Sequence, residues 1–354
     1  MIPPGGTIGI LGGGQLGRML AIAAAQLGYR THVFAPEAEQ PAADVASVAT
    51  RAQYDDAAAL EAFAATVDVV TCEFENVPAH CLARLAVRVP VRPGARAFAV
   101  AQDRLAEKRF VTELGGRPAP HAAVDDAETL AAAIEALGTP AILKTRRLGY
   151  DGKGQVRVAS PAEAGAALAA LGGGDLVLEA EVAFLSEFSI LVARGLDGSE
   201  AHYPPIANRH SGGILAESVA PAPQLAPALV EEATALVIRI ADALDHVGVL
   251  ACEFFETPAG AVFNELAPRV HNSGHWTIEG AETSQFEQHI RAIAGLPLGS
   301  AAMRAPSARM CNILGDAIEG AHRLLADPRA HLHLYGKRAA APGRKMGHVT
   351  FLAA

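Results

Sequence analysis

Cysteine and long apolar runs are both scarce in this sequence. The 4 cysteines are Cys72, Cys81, Cys252 and Cys311. Because their spacing is not that of a metal site and most lie in apolar segments, we interpret them as reduced thiols of a cytoplasmic protein. No apolar run reaches transmembrane length, and no basic stretch precedes an apolar one at the N-terminus. We therefore expect neither a membrane partner nor secretion.

Positive charge is also in deficit, with 29 Lys and Arg against 38 Asp and Glu and a formal net charge of −9. General nucleic-acid binding requires a basic face, so this balance predicts no nucleic-acid partner. The composition, with 51% hydrophobic residues, is that of a globular protein. A length of 354 residues exceeds one ordinary core and predicts two or three domains.

The N-terminal segment has the pattern of a βαβ unit with a glycine-rich turn. Residues 7–11 and 31–34 predict buried strands, and residues 18–27 predict the helix between them. The turn, residues 12–17, reads G-x-G-x-x-G, which lets the backbone approach an anion at the helix N-terminus. Ala35 and Pro36 stand where a nicotinamide site needs an acid. The motif leaves a dinucleotide, another phosphate-bearing ligand and simple close packing open.

Acidic residues follow the next buried strand, residues 67–72. Glu73 and Glu75 come at its carboxyl end, where parallel sheets bind ligands, so either could hold sugar hydroxyls. Asn76 could instead cap the following helix, and a solvated turn is the alternative interpretation.

A glycine-rich loop with three cations joins two predicted strands, residues 141–144 and 155–158. Its glycines let backbone N–H groups turn towards phosphate oxygens, and Lys144 adds charge at the tip of the first strand. The spacing excludes a Walker A loop. We interpret the loop as a phosphate flap, with a mobile surface hairpin as the alternative. A later strand ends at Glu179, and the segment after it could grip the edge of an adenine.

Two apolar segments, residues 249–255 and 261–267, predict a hairpin joined by a turn rich in Thr, Pro and Gly. Folding about Ala259 places Glu253 opposite Glu265 on one face. Facing carboxylates repel, so either one is protonated or a cation lies between them. Carboxylates with room for water and phosphate oxygens favour Mg²⁺ over Zn²⁺. A solvated face with a shifted register is the alternative.

The loop after this hairpin, residues 268–276, holds an Arg, two His, an Asn and a Ser. So polar a loop after a buried strand is more often a site than a connector. Arg269 and His271 can donate hydrogen bonds to an anion beside the metal. Near the C-terminus, Arg344 and Lys345 on a glycine-bounded turn could clamp a phosphate, or form an exposed basic turn.

Together these stretches resemble the ATP-grasp superfamily and, within it, the carboxyaminoimidazole ribonucleotide synthetases of purine biosynthesis. The matching segments, in the family's order, are residues 12–18, 103–105, 143–154, 264–277 and 342–348. The segment 264–277 is the most specific, because the formate-dependent glycinamide ribonucleotide transformylases, which we rank second, carry another sequence there. Leu148 is a departure, since the family usually has glycine at this flap position.

The resemblance implies an α/β fold, α+β in its C-terminal part. Its domains would be a Rossmann-like domain (residues 1–100), a linker helix with a flap domain (101–180) and a C-terminal domain with a Mg²⁺ site (181–354). The implied reaction is ATP- and bicarbonate-dependent carboxylation of 5-aminoimidazole ribonucleotide to N5-carboxyaminoimidazole ribonucleotide, giving ADP and phosphate. ATP would lie between the last two domains, with Mg²⁺ or Mn²⁺ as cofactor, and family habit implies a homodimer.

The resemblance also implies roles for individual residues. The nucleotide would contact Arg104, Lys144, Gly149, Tyr150, Asp151, Gly152, Lys153, Gly154, Gln155, Glu179, Ala180, Glu181, Val182, Glu187, His210, Asn264 and Glu265. Bicarbonate and the reacting amine would lie among Tyr150, Asp151, Lys153, Arg269, His271 and Asn272. The ribonucleotide would contact Gln15, Leu16, Glu73, Asn76, Arg344 and Lys345. The metal ligands would be Glu253, Glu265 and Asn264, the last of which needs a bulge to reach the same face.

In the implied chemistry, bicarbonate attacks the γ-phosphorus of ATP, and carboxyphosphate, or CO₂ released from it, carboxylates the amine. Mg²⁺, Lys144 and Arg269 would neutralise charge on the phosphoryl group. A closed flap would exclude water, and Asp151 is our candidate for the amine proton. Two hypotheses from other classes are a nicotinamide-dependent oxidoreductase, based on the glycine motif, and a nucleotide-binding regulator without catalysis.

Overall fold

The structure is a computed structural model that describes residues 1–149 and 152–353. Within these residues the chain forms three sheets, of which the first is parallel and N-terminal. The segment that forms it contains β1 (Thr7–Leu11), α1 (Gln15–Gln26), β2 (Arg30–Ala35), β3 (Val48–Arg51), α2 (Ala57–Ala64), β4 (Val69–Cys72), α3 (Ala79–Ala86) and α4 (Ala95–Ala101). The strand order is β3-β2-β1-β4, with every pair parallel. Strands β1, β2 and β4 are almost wholly buried, which explains their largely apolar sequences.

The second sheet is antiparallel and carries the flap. Its part of the chain contains α5 (Arg104–Glu113), β5 (His121–Val124), α6 (Ala127–Leu137), β6 (Ala141–Thr145), β7 (Gln155–Val158), α7 (Ala164–Ala170) and β8 (Leu176–Ala180). The strand order is β5-β8-β6-β7. Asp103 fixes the start of α5, because its carboxylate accepts from the N–H groups of Leu105 and Ala106 at 3.0 and 3.2 Å.

The third sheet is antiparallel and has nine strands. Its part of the chain contains β9 (Ser186–Arg194), β10 (Glu200–His202), β11 (Ile206–Ser211), β12 (Ile214–Ala220), α8 (Pro227–Ala243), β13 (Gly248–Thr257), β14 (Gly260–Ala267), α9 (Thr277–Gly280), α10 (Gln285–Ala294), β15 (Ala308–Leu314), β16 (Ala330–Leu334) and β17 (Lys345–Leu352). The order is β14-β13-β9-β11-β12-β15-β17-β16, with β10 beside β9. Phe188 stacks on Phe254 at 5.2 Å between ring centroids in the core beneath α8.

One predicted element differs from the structure. Helix α1 begins at Gln15 rather than Arg18, so Gly17 lies inside its first turn. Pro204 and Pro205, which have no N–H groups to donate, interrupt the sheet between β10 and β11. The predicted α/β class with an antiparallel C-terminal part is confirmed, whereas the domain limits near residues 100 and 180 stay predictions. Within residues 1–149 and 152–353, no helix has both the length and the apolar character needed to cross a membrane.

Candidate active site

The two glutamates of the predicted hairpin face each other across β13 and β14. Glu253 lies directly opposite Glu265 in the antiparallel register, as folding about the turn predicted. The register then shifts by one residue, so that Phe254 pairs with Phe263. This β-bulge leaves Asn264 without a partner in the ladder, and Asn264 lines the same cavity as both glutamates. The bulge that Asn264 needs to join the carboxylates is therefore present.

Negative charge accumulates around this pair. Burial raises the pKa of Glu253, and the facing Glu265 raises it further. Arg104 Nη1 lies 3.5 Å from a Glu265 oxygen, and His271 Nε2 lies 3.6 Å from Glu253. Burial holds the pKa of His271 well below its usual value, so this ring is neutral at neutral pH. Arg104 thus offsets part of the charge, and a divalent cation would balance the rest.

A third acid, Glu187, lies beside the pair and has its own partner. His210 Nδ1 is 2.8 Å from Glu187 Oε2, across the neighbouring strands β9 and β11. Burial lowers the pKa of His210, but the hydrogen bond to Glu187 and the charges of Glu253 and Glu265 outweigh burial and raise it. These neighbours favour the protonated, positively charged form of His210.

Glu179 lies between two lysines. Its Oε2 accepts from Lys144 Nζ at 2.9 Å, and its Oε1 lies 3.2 Å from Lys108 Nζ. Burial acts to raise the pKa of Glu179, but the two lysines together lower it to about 2. This buried carboxylate is therefore ionised and neutralised by the chain itself.

Arg269 is oriented by an acid from the loop after β4. Its Nε donates to Glu75, and its Nη1 donates to the carbonyl of Val270 at 2.9 Å. Burial acts to raise the pKa of Glu75, but Arg269 holds it below its usual value. Glu75, an alternative ligand for sugar hydroxyls in the sequence, therefore has the contacts of a residue that orients Arg269.

His271 is fixed on its ring and on its backbone. Its Nδ1 lies 2.8 Å from Ser273 Oγ. Its backbone N–H donates to Gln285 Oε1 at 2.9 Å, and its carbonyl accepts from Gln285 Nε2 at 2.7 Å. These contacts leave Nε2 as the ring nitrogen nearest to Glu253.

Glu73 fills the turn in which the glycine motif predicted an anion. Its carboxyl group accepts from the N–H groups of Gly14 and Gly17 at 2.7 and 2.9 Å, at the start of α1. A Cβ on Gly12 or Gly14 would lie 2.5 or 2.7 Å from Glu73 side-chain atoms. The close approach of Glu73 therefore explains these glycines. Since the helix N-terminus already has an acceptor, the nicotinamide hypothesis loses its pyrophosphate site.

Basic residues near the C-terminus reach back towards the N-terminal part of the chain. Arg344 Nη2 donates to Glu39 at 2.6 Å, and its Nη1 donates to the Ala339 carbonyl at 2.6 Å. Lys345 begins β17 rather than lying in the turn, and its carbonyl accepts from Lys337 Nζ at 2.7 Å. Burial and the charge of Arg344 lower the pKa of Lys337 to about 8. Lys337, which sequence reasoning missed, is therefore a third basic residue beside Arg344 and Lys345.

A cavity of about 820 Å³ lies among these groups. The predicted residues that line it are Gln15, Leu16, Glu73, Asn76, Arg104, Lys144, Gly149, Gly152, Lys153, Gln155, Glu187, His210, Glu253, Asn264, Glu265, Arg269, His271, Asn272, Arg344 and Lys345. Those that do not line it are Gly154, Glu179, Ala180, Glu181 and Val182. Glu181 instead pairs with Arg157 at 2.8 Å. Tyr150 and Asp151 lie outside the described residues, and the roles of all these residues stay predictions.

Family models match nearly the whole chain. They are the ribonucleotide synthetase preATP-grasp domain at residues 6–102, the ATP-grasp domain at 109–286 and the phosphoribosylaminoimidazole carboxylase C-terminal domain at 308–354. The N5-carboxyaminoimidazole ribonucleotide synthase of Brucella melitensis is 50% identical over 352 residues, which is 99% of this chain and 97% of that protein. The chain belongs to the N5-carboxyaminoimidazole ribonucleotide synthase family.

Solved structures of this family are similar over the whole chain. The Thermus thermophilus enzyme has a TM-score of 0.91 at 49% identity, with 98% of this chain and 93% of that chain covered. The Aspergillus clavatus enzyme, in complex with ADP and 5-aminoimidazole ribonucleotide, has a TM-score of 0.92 at 32% identity, with 99% and 94% covered. The predicted ATP-grasp fold and ligase class are therefore confirmed.

The acidic end of the cavity fits the Mg²⁺ ion that the resemblance to the N5-carboxyaminoimidazole ribonucleotide synthase family implies. Among residues 1–149 and 152–353, no three or more His, Cys, Asp or Glu side chains form a metal-binding group. Mg²⁺ requires only one or two carboxylates when phosphate oxygens and water complete its shell. Glu253 and Glu265 supply these, and Asn264 adds an amide oxygen beside them. Oxygen donors of this kind are those that Mg²⁺ prefers.

Sequence reasoning missed Glu107 and Lys108, two buried charges on α5. Burial raises the pKa of Glu107 to about 8, against the lowering effect of Lys108. The sequence contained a signal for both. Leu105, Phe110 and Val111 define the apolar face of this helix, and helical periodicity puts Glu107 and Lys108 on that same face. Charges on the buried face of a helix need partners, and those partners lie far away in the sequence.

Proposed function

We propose that this protein carboxylates the amine of 5-aminoimidazole ribonucleotide with bicarbonate and ATP, and releases N5-carboxyaminoimidazole ribonucleotide, ADP and phosphate. The observation that carries the proposal is the facing Glu253–Glu265 pair in a cavity that also contains basic residues of the flap and the C-terminal turn. The names and ligands of the family members support the substrate assignment. Homodimerisation, a cytoplasmic location and the choice of Mg²⁺ or Mn²⁺ belong to the same proposal.

The reaction needs an activation step, because bicarbonate is a poor electrophile. A bicarbonate oxygen attacks the γ-phosphorus of ATP, the bond to ADP breaks, and carboxyphosphate forms. The amine nitrogen then bonds to the carbon of carboxyphosphate, or of CO₂ released from it, while phosphate leaves and the amine loses a proton. Lys144 and Arg269 stabilise charge on the phosphoryl and carboxyl oxygens, and Glu75 keeps Arg269 in place.

The acidic end of the cavity would hold the cofactor. Glu253, Glu265 and Asn264 would bind Mg²⁺, which when bound supplies charge neutralisation for the phosphates of ATP. Glu187 and His210 line the same wall and hydrogen-bond each other at 2.8 Å, so their orientations are mutually fixed. We place the nucleotide at this end, beside the flap.

The ribonucleotide would occupy the opposite wall. Lys337, Arg344 and Lys345 provide cations for its phosphate, while Gln15 and Asn76 line the cavity near the carboxyl edge of the first sheet. Glu39 holds Arg344 at 2.6 Å, so this guanidinium is oriented before any phosphate arrives. The amine would then point towards Arg269, His271 and Asn272.

The decisive assay measures ADP release with 5-aminoimidazole ribonucleotide, bicarbonate and Mg²⁺. We expect release that requires all three, and release that ignores the ribonucleotide would contradict the proposal. Formate with glycinamide ribonucleotide tests the related transformylase activity and should give no ADP. NADH fluorescence should stay unchanged on mixing, whereas a shift would revive the oxidoreductase. Nucleotide binding without any ADP production would instead indicate a regulator.

A further inference from the structure

Two adjacent residues of α5 contact the strand that carries the predicted metal ligands. Glu107 Oε1 accepts from the backbone N–H of Leu266 at 2.7 Å, and Lys108 Nζ lies at a longer 3.5 Å from the carbonyl oxygen of Asn264. Leu266 and Asn264 are the residues on either side of Glu265. Helix α5 therefore holds the backbone of both neighbours of this glutamate.

Strand β14 needs this support because it is the terminal strand of its sheet and carries a bulge. Strand β13 pairs with it along one side only. On the other side, the N–H of Phe263 donates to the Arg117 carbonyl at 2.8 Å, before the bulge. Beyond the bulge, Glu107 takes the N–H of Leu266, which would otherwise be a buried donor without a partner. Such a donor is unfavourable, because it loses its hydrogen bond to water without gaining one to the protein.

We propose that Glu107, assisted by Lys108, is a positioning residue for the metal site. By holding the backbone at Leu266 it fixes the bulge in the form that brings Asn264 and Glu265 to the same cavity as Glu253. Glu107 and Lys108 are 2% and 1% exposed, and although Glu107 borders the cavity, both side chains contact the backbone of β14. This inference rests on the proposed function, because it assumes that Glu253 and Glu265 share a divalent ion.

The test measures Mn²⁺ affinity of the full chain by electron paramagnetic resonance at saturating ADP. Glu107→Leu keeps the bulk but removes the acceptor, and we expect about 10–100-fold weaker binding, as is typical when an outer partner of a metal ligand is lost. Glu107→Gln keeps an acceptor oxygen and should retain the wild-type affinity. Glu113→Leu, which changes an exposed acid of the same helix, is the matched control and should change nothing.

Glu265→Gln separates this inference from the function on which it rests. If Glu265→Gln leaves Mn²⁺ affinity unchanged, the proposed metal site is wrong. If Glu265→Gln loses Mn²⁺ while Glu107→Leu binds it normally, Glu107 has no positioning role. Equal losses in Glu107→Leu and Glu107→Gln would also overturn the role of a hydrogen-bond acceptor.

A measurement of nucleotide binding shows whether the effect is confined to the metal site. ADP affinity without metal should be the same in Glu107→Leu and the wild type, and a parallel loss would indicate general disruption and overturn the inference. If Glu107→Leu does not fold by circular dichroism, Glu107→Ala decides, with Glu113→Ala at an exposed position of the same helix as control. Weaker Mn²⁺ binding in Glu107→Ala but not in Glu113→Ala supports the positioning role, and unchanged binding in Glu107→Ala contradicts it.

Discussion

Two buried carboxylates near the cavity reach opposite electrostatic states. Glu179 lies between Lys108 and Lys144, and its pKa falls to about 2. Glu253 faces Glu265, and its pKa rises. Burial disfavours the charged form in both cases, so the difference comes from the charge opposite each group.

This difference separates structural charge from charge that serves a ligand. The carboxylate of Glu179 has its cations within the chain, and these two ion pairs hold helix α5 against β6 and β8. Glu253 instead faces the carboxylate of Glu265, and its pKa stays raised despite the positive charges of His210 and Lys345. Where two buried carboxylates repel each other, binding of a cation relieves the repulsion. We therefore expect a change in the Glu253–Glu265 pair to lower turnover, and a change at Glu179 to lower stability.

The largest effect is expected from Glu265→Gln, which keeps the shape of the acidic pair but removes one charge. Turnover should fall by about 10²–10³-fold, the range seen when one electrostatic stabiliser of a transition state is lost. ADP release measures this, and circular dichroism should show an unchanged fold. Glu256→Gln, at the far end of the same hairpin, is the control. Near-normal turnover in Glu265→Gln would show that the Glu253–Glu265 pair does not serve a ligand.

Glu179→Gln should act on stability instead. It leaves Lys108 and Lys144 buried without their anion, and breaking a buried pair in this way costs about 3–5 kcal/mol. The midpoint of urea unfolding should fall accordingly. Glu181→Gln, which breaks the largely exposed pair with Arg157, should lower the midpoint far less, because water screens that pair. Equal midpoints for the two variants would show that Glu179 is not the structural centre of its cluster.

The pH dependence should have opposite signs at the two sites. The folded pKa of Glu179 lies below the unfolded value of 4.5, so its contribution is present above pH 4.5 and is lost towards pH 2. The folded pKa of Glu253 is raised from 4.5 to about 7, so the metal-free protein loses stability as pH rises from about 4.5 to about 7.

Glu253→Gln tests this sign. Without metal, it should be more stable than the wild type at pH 8 by about 3 kcal/mol, since the pKa of Glu253 rises from 4.5 to about 7 and one pKa unit is worth about 1.4 kcal/mol. At pH 5 the two proteins should be nearly equal, because the wild-type carboxyl group is then protonated. Thermal melts in EDTA at both pH values provide the measurement. A constant difference across pH would contradict the repulsion between Glu253 and Glu265.

The contrast also explains what could be predicted from the sequence. The strand register that places Glu253 opposite Glu265 depends on local sequence, namely the alternation of side chains along two strands and the turn between them. The pairing of Glu179 with its lysines was not predictable in this way, because Lys108 is 71 positions from Glu179 along the printed sequence. Only the tertiary fold brings these charges together.

The glycine motif shows the same limit. Its spacing predicted close approach at the start of α1, and the structure has that approach. The group that approaches is Glu73, 56 positions from Gly17, and the sequence alone could not distinguish its carboxyl group from a ligand's phosphate. Family membership was predictable because its motif segments are spread over the whole chain, so that errors in single elements did not matter.

The smallest effect is expected at Leu148, in the flap and outside both carboxylate sites. Leu148 has φ 63° and is 71% exposed. A non-glycine residue in this left-handed region costs roughly 1–2 kcal/mol, which offsets the entropy that glycine adds to the unfolded chain. Leu148→Gly should therefore leave the midpoint of urea unfolding unchanged or slightly raised. Leu185→Gly, at a 68% exposed leucine without positive φ, should lower stability by about 0.5–1 kcal/mol. Equal losses of stability in the two variants would show that the positive φ of Leu148 stores no strain.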